Sequence, residues 1–357
     1  MLTGEKSDFD LKDSQYEIVE IPAFGVYDDI IYDFYPNEIL LFFYFDMLKR
    51  VKKNDVIMID VNTGLNEYVN LLISALLYFI VTLSLENIMD QKTIKTIKTI
   101  NAYEIITEPI TGKDNNHIHN IYINEFERKI FFSLPYTSGN FQISTIMEMD
   151  DSSKREFEST FKYRKDYSRI LKNINIIFNA ISNNTLPFLY EIKAEIDEKT
   201  KQAINSIIDD ILKNVGNEIK PAENKRGKKI VNSQSLINFI MTLKIYYGII
   251  GLLHDNDIID DLHDLDKMYD AAGEIYGNGY INLKMNERFL SRDIIELKKL
   301  TEPDHNSISG KNNKTGDEER NFFAHSGMEH NAININNGKI EYKKEYIDKI
   351  KKWLLGP

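Results

Sequence analysis

The fold class of the N-terminal part is indicated by the stretch Asp55-Val56-Ile57-Met58-Ile59-Asp60-Val61-Asn62-Thr63-Gly64-Leu65-Asn66. It begins with a short apolar run bounded by aspartates, which predicts a buried strand over 55–60. A polar loop with one glycine follows, and the next residues are almost wholly apolar, which predicts a helix over 67–86. A junction of this kind presents backbone N–H groups and a helix N-terminus to an anion. The loop is neither a GxGxxG nor a P-loop sequence, so an ordinary βα connection is the alternative.

The segments around this junction extend the same pattern. Residues 17–21 predict a short strand that ends in the turn-like Pro22-Ala23-Phe24-Gly25, and 38–53 have apolar residues at helical spacing with basic residues at the end. Tyr103–Thr107 predicts a further strand, and the alternating residues 118–135 predict a hairpin added to the sheet. The order of strands and helices is typical of a parallel α/β sheet.

Two polar loops are expected to meet in this sheet. Ligands of parallel sheets bind at the carboxyl ends of the strands, and Pro22–Tyr27 and Val61–Asn66 both follow a predicted strand. The sequence therefore predicts a ligand site formed by these two loops.

The pattern changes after about residue 150, where helical periodicity replaces alternation. We predict helical blocks separated by polar or turn-forming segments, so an α/β domain is followed by an all-α domain. The predicted helical blocks are 154–219, interrupted at Asn183–Pro187, and 233–300. A basic break at 220–229 separates the two blocks, and a polar loop at 301–317 follows the second. Asn337-Gly338 predicts a turn before a last helix that ends near Leu355.

Composition limits the classes of function. The 357 residues include no Cys, which excludes disulfides, thiolate metal sites and Cys nucleophiles and suits a cytoplasmic protein. The net charge of −11 repels nucleic acid, so any RNA site must be a local patch. The uncharged segment 68–85 is at the lower limit of length for a membrane span and is flanked by Glu67 and Glu86 rather than basic residues. We therefore expect a buried helix and no membrane partner.

The strongest chemical motif is Glu319-Arg320-Asn321-Phe322-Phe323-Ala324-His325-Ser326-Gly327. Asn321 and His325 are four residues apart, so on a helix they share a face and the amide can orient the imidazole. Arg320 lies nearly half a turn away and offers a planar fork to a phosphate. The alternative is a helix start with an incidental surface Arg and a His packed on a neighbouring Phe, because Arg-x4-His alone is a common spacing.

These residue types suit RNA cleavage without a metal. The 2′-hydroxyl of RNA attacks the adjacent phosphorus and leaves a cyclic phosphate end, so DNA is not a substrate for this chemistry. The enzyme has to move protons and stabilise a charged phosphorane, which His and Arg side chains do. Two copies of the motif facing each other across a dimer would supply both sets of groups.

A second, acidic motif allows a different chemistry. Residues 252–264 contain Asp-Asp-x-x-Asp and two His-Asp pairs, and carboxylates on one helix face could hold Mg²⁺ for an enzyme acting on a diphosphate. No second acidic motif follows downstream, and the other ligands of an HD hydrolase are not evident. An acidic, solvated helix end is the simpler interpretation. The run Lys225–Lys229 could contact RNA phosphates, but it also suits a solvated linker.

Taken together, these motifs resemble the CARF–HEPN ribonucleases that accompany type III CRISPR antiviral systems. The loop Asp60–Asn66, the apolar helix after it and the earlier Pro22–Tyr27 loop are similar to those of a Rossmann-like CARF domain. Arg-Asn-x-x-x-His followed by a small residue and Gly is similar to the HEPN motif. The resemblance implies a CARF-like ligand-sensing domain with a hairpin addition over 1–150. Over 151–357 it implies a helical linker and an all-α HEPN ribonuclease domain.

The resemblance also implies an activator and a set of site residues. Cyclic oligoadenylate, with the tetramer as first candidate, would bind across a CARF homodimer or higher homo-oligomer and switch on cleavage of single-stranded RNA. Arg320, Asn321 and His325 would form the metal-free catalytic site. The activator pocket would contain Phe24, Gly25, Asn62, Thr63, Gly64 and Asn66. A nucleotide-sensing protein with a decayed HEPN domain is the alternative.

Overall fold

A computed structural model describes most of the chain, with gaps concentrated in its N-terminal part. The described residues are 19–21, 24–27, 30–52, 55–60, 66–87, 101–107, 121–125, 134–137, 141–219, 230–255, 257–279, 284–301 and 317–356.

The first two strands correct the prediction for the Pro22–Tyr27 loop. Phe24–Tyr27 (β1) and Ile30–Asp33 (β2) form an antiparallel pair, and residues 19–21 lie outside any strand. Phe24 and Gly25 are therefore strand residues, not residues of a loop after a strand at 17–21. The reason is local, because two β-prone segments separated by two residues favour a hairpin over an open loop.

The central sheet matches the α/β prediction in part. Val56–Asp60 (β3) pairs in parallel with Asn101–Thr107 (β4), and Ile121–Glu125 (β5) adds to β4 in antiparallel register. The parallel pair and the added strand confirm two predictions. The second strand of the expected hairpin lies outside the described residues. A complete Rossmann-like sheet stays a prediction, because the parallel strands described here form a single pair.

Two helices accompany these strands. Pro36–Arg50 (α1) begins with a proline at its first position and ends in Lys49 and Arg50, as a helix favours at each terminus. Asn66–Asn87 (α2) is the predicted apolar helix. The two pack together, and the buried hydroxyls of Tyr44 and Thr82 are 2.8 Å apart. The predicted helices at 38–53 and 67–86 are thus confirmed within a few residues.

The remainder of the chain is mainly helical, as predicted. The chain reverses at Asn184, which takes φ 63°, within the predicted interruption. The predicted break at 220–229 and most of the loop at 301–317 lie outside the described residues. The helices are Asp151–Ser159 (α3), Tyr167–Ser182 (α4), Pro187–Glu191 (α5), Glu198–Glu218 (α6), Ser233–Asp255 (α7), Ile258–Asp261 (α8), Met268–Gly273 (α9) and Lys284–Thr301 (α10), with a π-helical segment at Glu274–Gly279.

Helix α7 is the central element of this region. Ser233–His254 is long and apolar enough to cross a membrane, but most of its apolar window is buried inside the protein. Since the core helix of a soluble protein has the same composition, this finding is consistent with a soluble protein. The segment predicted to be a buried helix, now part of α2, packs directly on α7.

The C-terminal part is not all-α. Helix Glu318–Ala324 (α11) is followed by the antiparallel strands Ile333–Asn336 (β6) and Lys339–Tyr342 (β7), and then by Lys344–Leu355 (α12). Asn337 and Gly338 link the strands with φ 52° and 75°. Asn-Gly is the preferred pair for a two-residue hairpin turn because both positions need positive φ. The predicted turn is confirmed. The prediction of an all-α domain is wrong, because this region contains a β-hairpin.

The N-terminal helices and the helical region share one hydrophobic core. The buried Glu38 carboxylate of α1 accepts a hydrogen bond from the backbone N–H of Ile230, just before α7 (2.9 Å). Lys244 of α7 forms an ion pair with Glu86 of α2 (3.1 Å). At Gly248 of α7 a Cβ atom would lie 2.6 Å from the carbonyl oxygen of Leu85. Only glycine permits so close an approach of α7 to the end of α2.

Candidate active site

The motif helix α11 is fixed at its start by a side-chain cap. The Asp317 carboxylate accepts a hydrogen bond from the backbone N–H of Arg320 (3.3 Å), which satisfies one of the free donors of the first turn. Glu318 and Glu319 occupy that turn, where negative charge is favourable. The prediction that the motif lies on a helix directly after the polar loop is confirmed.

The three predicted catalytic residues lie at the open side of this helix. His325 ends α11 and donates its backbone N–H to Asn321 O (3.1 Å), so Asn321 and His325 are stacked one turn apart. Arg320 and His325 are exposed and Asn321 is half-buried. Their side chains make no hydrogen bond or ion pair with the part of the chain that the structure describes. All three groups are thus free to contact a substrate on that surface.

Phe322 anchors the opposite side of the helix. Its ring is fully buried and lies 5.5 Å from the Trp353 ring and 6.4 Å from the Tyr342 ring, centroid to centroid. Phe323 meets it edge to face. The alternative in which His325 packs on one of these rings is not supported, since the rings pack on each other and His325 is exposed.

A buried polar network holds the turn that follows His325. Ser326 takes φ 52°, and its hydroxyl donates to Asp293 Oδ2 of α10 (2.5 Å). The same hydroxyl oxygen accepts a hydrogen bond from Asn184 Nδ2 (2.9 Å). All three residues are buried. Because a buried polar group without a partner costs about 1–3 kcal/mol, this network strongly favours a single path of the chain after His325.

Gly327 completes the same turn. It takes φ 80°, and a Cβ atom there would lie 3.0 Å from Cβ of Thr185. The Tyr342 hydroxyl donates to Gly327 O (3.0 Å). Burial, and to a lesser degree the charge of Glu191, raises the pKa of Tyr342 above its usual range. The neutral form of this hydroxyl, which can donate the hydrogen bond, is therefore favoured over the phenolate.

The sequence analysis did not identify the supporting residues Asn184, Asp293 and Tyr342. They are 142, 33 and 15 residues away along the chain from the motif residues they bind. The sequence contained one relevant signal, the small Ser326 followed by Gly327, which is typical of a tight turn with positive φ.

The acidic motif at 252–264 is engaged in local contacts. Asp260 pairs with Lys193 (3.2 Å) and Asp261 with Lys267 (3.0 Å). The His263 ring stacks on Tyr190, and His254 Nε2 contacts Ile196 O. Among the described residues no group of three or more His, Asp or Glu side chains could share a metal ion. The Mg²⁺ alternative gains no support from this arrangement.

The predicted activator residues are only partly described. Phe24 and Gly25 lie in β1, and Asn66 is the first residue of α2. Asn62, Thr63 and Gly64 lie outside the described residues. The strand before this loop and the helix after it are present as predicted, so the loop is at the carboxyl end of a parallel strand.

Comparison with protein families gives two matches in the expected order. Residues 3–104 match the CARF domain of the CRISPR system endoribonuclease Csx1, and residues 283–345 match the HEPN domain of the same protein. The chain is a CARF–HEPN protein of the Csx1 type. Its domains are those of a CRISPR-associated ribonuclease of type III systems. The HEPN match spans α10, α11, the turn at Ser326 and Gly327 (the proposed catalytic turn) and the β6–β7 hairpin of this CARF–HEPN protein. No protein of curated function matches the chain.

Proposed function

We propose that this CARF–HEPN protein is a metal-independent endoribonuclease that cleaves single-stranded RNA when cyclic oligoadenylate binds its CARF domain. The observation that carries the proposal is the arrangement at the end of α11. Arg320, Asn321 and His325 are accessible, and a buried network fixes the backbone directly after them. A chain that had kept the fold without the reaction would have no need of this set at an open surface.

The chemistry follows from the side chains. The RNA 2′-oxygen loses its proton and attacks the adjacent phosphorus, and the bond from phosphorus to the 5′-oxygen breaks after a phosphorane forms. The 5′-oxygen takes up a proton, so the products are a 2′,3′-cyclic phosphate and a free 5′-hydroxyl. His325 transfers the proton and Arg320 stabilises the phosphorane charge. Asn321, one turn before His325, would orient the imidazole through a hydrogen bond formed when the substrate is bound.

A second protomer completes the site in this proposal. One HEPN motif supplies one imidazole, whereas the reaction needs a proton acceptor and a proton donor at nearly the same time. Two motifs facing each other in a homodimer or higher homo-oligomer provide both. The expected mass in solution is therefore at least that of a dimer.

The input site is proposed at the CARF end. The sequence between β3 and α2 contains Asn62, Thr63 and Gly64, and backbone N–H groups at a strand–helix junction bind phosphate. Phe24 and Gly25, which lie in β1, are proposed to contact the adenine rings. The cyclic tetramer is the first candidate activator.

The test is cleavage of end-labelled single-stranded RNA in EDTA, with and without cyclic tetra- or hexa-adenylate. Wild type is expected to cleave with one of the two rings and to leave cyclic phosphate ends. His325→Ala is expected to lower the rate at least about 100-fold, since proton transfer by a positioned side chain contributes that much. His330→Ala, another exposed histidine five residues on, is the matched control and is expected to keep activity.

Other outcomes separate the alternatives. Tight binding of a cyclic oligoadenylate without any cleavage would identify a sensor with an inactive HEPN domain. Loss of cleavage in EDTA would contradict the metal-free mechanism. Cleavage that His325→Ala leaves intact would place the reaction elsewhere in the molecule.

A further inference from the structure

The outward face of α10 combines an aromatic ring with an arginine. The Phe289 side chain is 49% exposed, unusual for a residue of this type. The Arg292 guanidinium lies over this ring, with Cζ 5.9 Å from the centroid, and the Arg292 side chain is itself 58% exposed. Arg288, one turn before Arg292, is also exposed. A flat ring and a planar cation are thus presented together to solvent on a protein whose net charge is −11.

This pair is tied directly to the catalytic turn. Arg292 Nη2 lies 3.3 Å from Asp293 Oδ1, and the other oxygen of that buried carboxylate accepts the Ser326 hydroxyl. Ser326 follows His325 in the chain. Two polar contacts therefore connect the Arg292 guanidinium to the residue beside the catalytic imidazole. Arg292 is therefore linked through the buried Asp293 carboxylate to the turn that contains Ser326.

We propose that Phe289 and Arg292 form a subsite for the RNA nucleotide that flanks the scissile phosphate. The base stacks on the open part of the Phe289 ring, and Arg292 contacts the backbone phosphate with N–H groups that Asp293 does not use. This inference rests on the proposed ribonuclease function and adds a substrate-binding element outside the Arg-Asn-x-x-x-His motif.

The chemistry of the pair favours single-stranded RNA over other occupants. Unpaired bases stack on aromatic side chains and on arginine planes, and phosphate binds the planar fork of arginine. The contact is tolerant of base identity, because every base has a π face. Overall repulsion from an acidic protein requires local cations beside the cleavage site, and Arg288 and Arg292 provide them.

The experiment measures binding of fluorescein-labelled single-stranded RNA by anisotropy over a range of salt concentrations. The background is full-length His325→Ala, in which the RNA is expected to stay intact. Phe289→Leu is compared with Tyr269→Leu, an aromatic residue of equal exposure (50%) on α9. Arg292→Gln is compared with Arg169→Gln, a 53% exposed arginine that also pairs with an aspartate of its own segment.

The expected results differ for the two substitutions. Phe289→Leu weakens binding about fivefold or more with an unchanged salt dependence, because a base–aromatic stack is lost. Arg292→Gln weakens binding and reduces the slope of log K against log salt by about 0.7, the value for one phosphate contact on a single strand. The two control substitutions leave affinity and slope unchanged.

Three results would overturn the proposal. If Phe289→Leu and Arg292→Gln bind RNA as their controls do while wild type still cleaves, the subsite is wrong and the proposed function stands. If the substitutions change the mass measured by light scattering, this face belongs to an interface between copies of the chain. If wild type neither binds nor cleaves RNA, the proposed function fails and the subsite fails with it. Phe289→Leu decides the matter should Arg292→Gln lower the melting temperature, because the hydrogen bonds of the Asp293 carboxylate go to Arg292 and Ser326 and not to the Phe289 ring.

Discussion

The backbone that follows His325, the proposed catalytic histidine, is held by residues with no proposed part in the chemistry. His325 is the last residue before a turn in which Ser326 and Gly327 both have positive φ. Non-glycine residues rarely adopt this conformation, and Ser326 does so with its hydroxyl bound on both sides. For the proposed reaction, the backbone conformation at Ser326 and Gly327 is therefore as important as the side chains of Arg320, Asn321 and His325.

Gly327→Ala tests the turn. Positive φ alone costs about 1 kcal/mol for a residue with Cβ, and the contact with Thr185 at 3.0 Å adds to this cost. We expect a loss of about 2 kcal/mol or more in the free energy of unfolding and a clear loss of RNA cleavage. Gly338→Ala is the matched control, since Gly338 has φ 75° and open space around it. Equal effects of the two substitutions in denaturant titrations would show that the Thr185 contact is unimportant.

Asp293→Ala tests the buried network. It removes the acceptor of the Ser326 hydroxyl, and we expect a cost of about 1–3 kcal/mol in unfolding free energy. The same change frees the turn after His325, so kcat is expected to fall more than KM rises. Asp270→Ala, which removes an exposed aspartate of α9, should change neither quantity. A drop in stability with full kcat would assign Asp293 a purely structural role.

Sequence patterns suggested candidate reactive residues but not the residues that hold the turn beside them. Arg320, Asn321 and His325 are close together along the chain, and their chemistry is evident from residue type. Asn184 and Asp293 meet Ser326 only because α4, α10 and the catalytic turn converge in three dimensions. No local pattern in the sequence marks such partners.

At the scale of elements, the motif helix depends entirely on its packing. Helix α11 has seven residues, far fewer than an isolated helix needs for stability in water. Phe322 supplies the contact with the core through Trp353 and Tyr342. The stability of α11 therefore depends on the packing of the Phe322 ring in the core.

Phe322→Ala is expected to destabilise the protein by about 3–5 kcal/mol, as other truncations of a buried Phe do. Phe323→Ala, which shortens a half-buried ring in the same helix, should cost clearly less. Thermal unfolding of both variants provides the comparison. Similar melting temperatures would indicate that α11 is held by contacts other than the Phe322 ring.

The sequence predicted long elements better than short ones. Helices α2 and α7 are apolar over most of 22 and 23 residues, so their helical type was predicted, although the end of α7 within the block 233–300 was not. The pairs β1–β2 and β6–β7 have strands of four residues, too short for alternation to be distinguished from a turn. Asn337-Gly338 was recognised as a turn, yet the strands beside it were missed because the surrounding region is helical.

At the scale of the molecule, α2 of the CARF part packs tightly on α7 of the helical region. Gly248→Ala would place a methyl group 2.6 Å from a backbone oxygen of α2, so α2 and α7 would have to separate. We expect a lower melting temperature and a weaker response of RNA cleavage to cyclic oligoadenylate. Gly273→Ala, at a helical position with open space, should be neutral or slightly stabilising. An unchanged activator response in Gly248→Ala would exclude this contact from the signal path.

The order of the two domains was predicted from sequence, but the way they join was not. The boundary expected at residue 150 stays a prediction, since α1 and α2 on one side of it share a core with α6 and α7 on the other. The apolar composition of a helix such as α2 indicates that the helix is buried, but it does not indicate which other helix it packs against.

The shared core also limits how such proteins can diversify by recombination. A crossover near residue 150 would combine α1 and α2 from one parent with α7 from another. Residue 248 of one parent would then lie against the carbonyl oxygen of residue 85 from the other, where a Cβ atom would be only 2.6 Å away. Successful chimeras should therefore inherit α1, α2 and α7 from the same parent. The three helices would then be inherited together as one module.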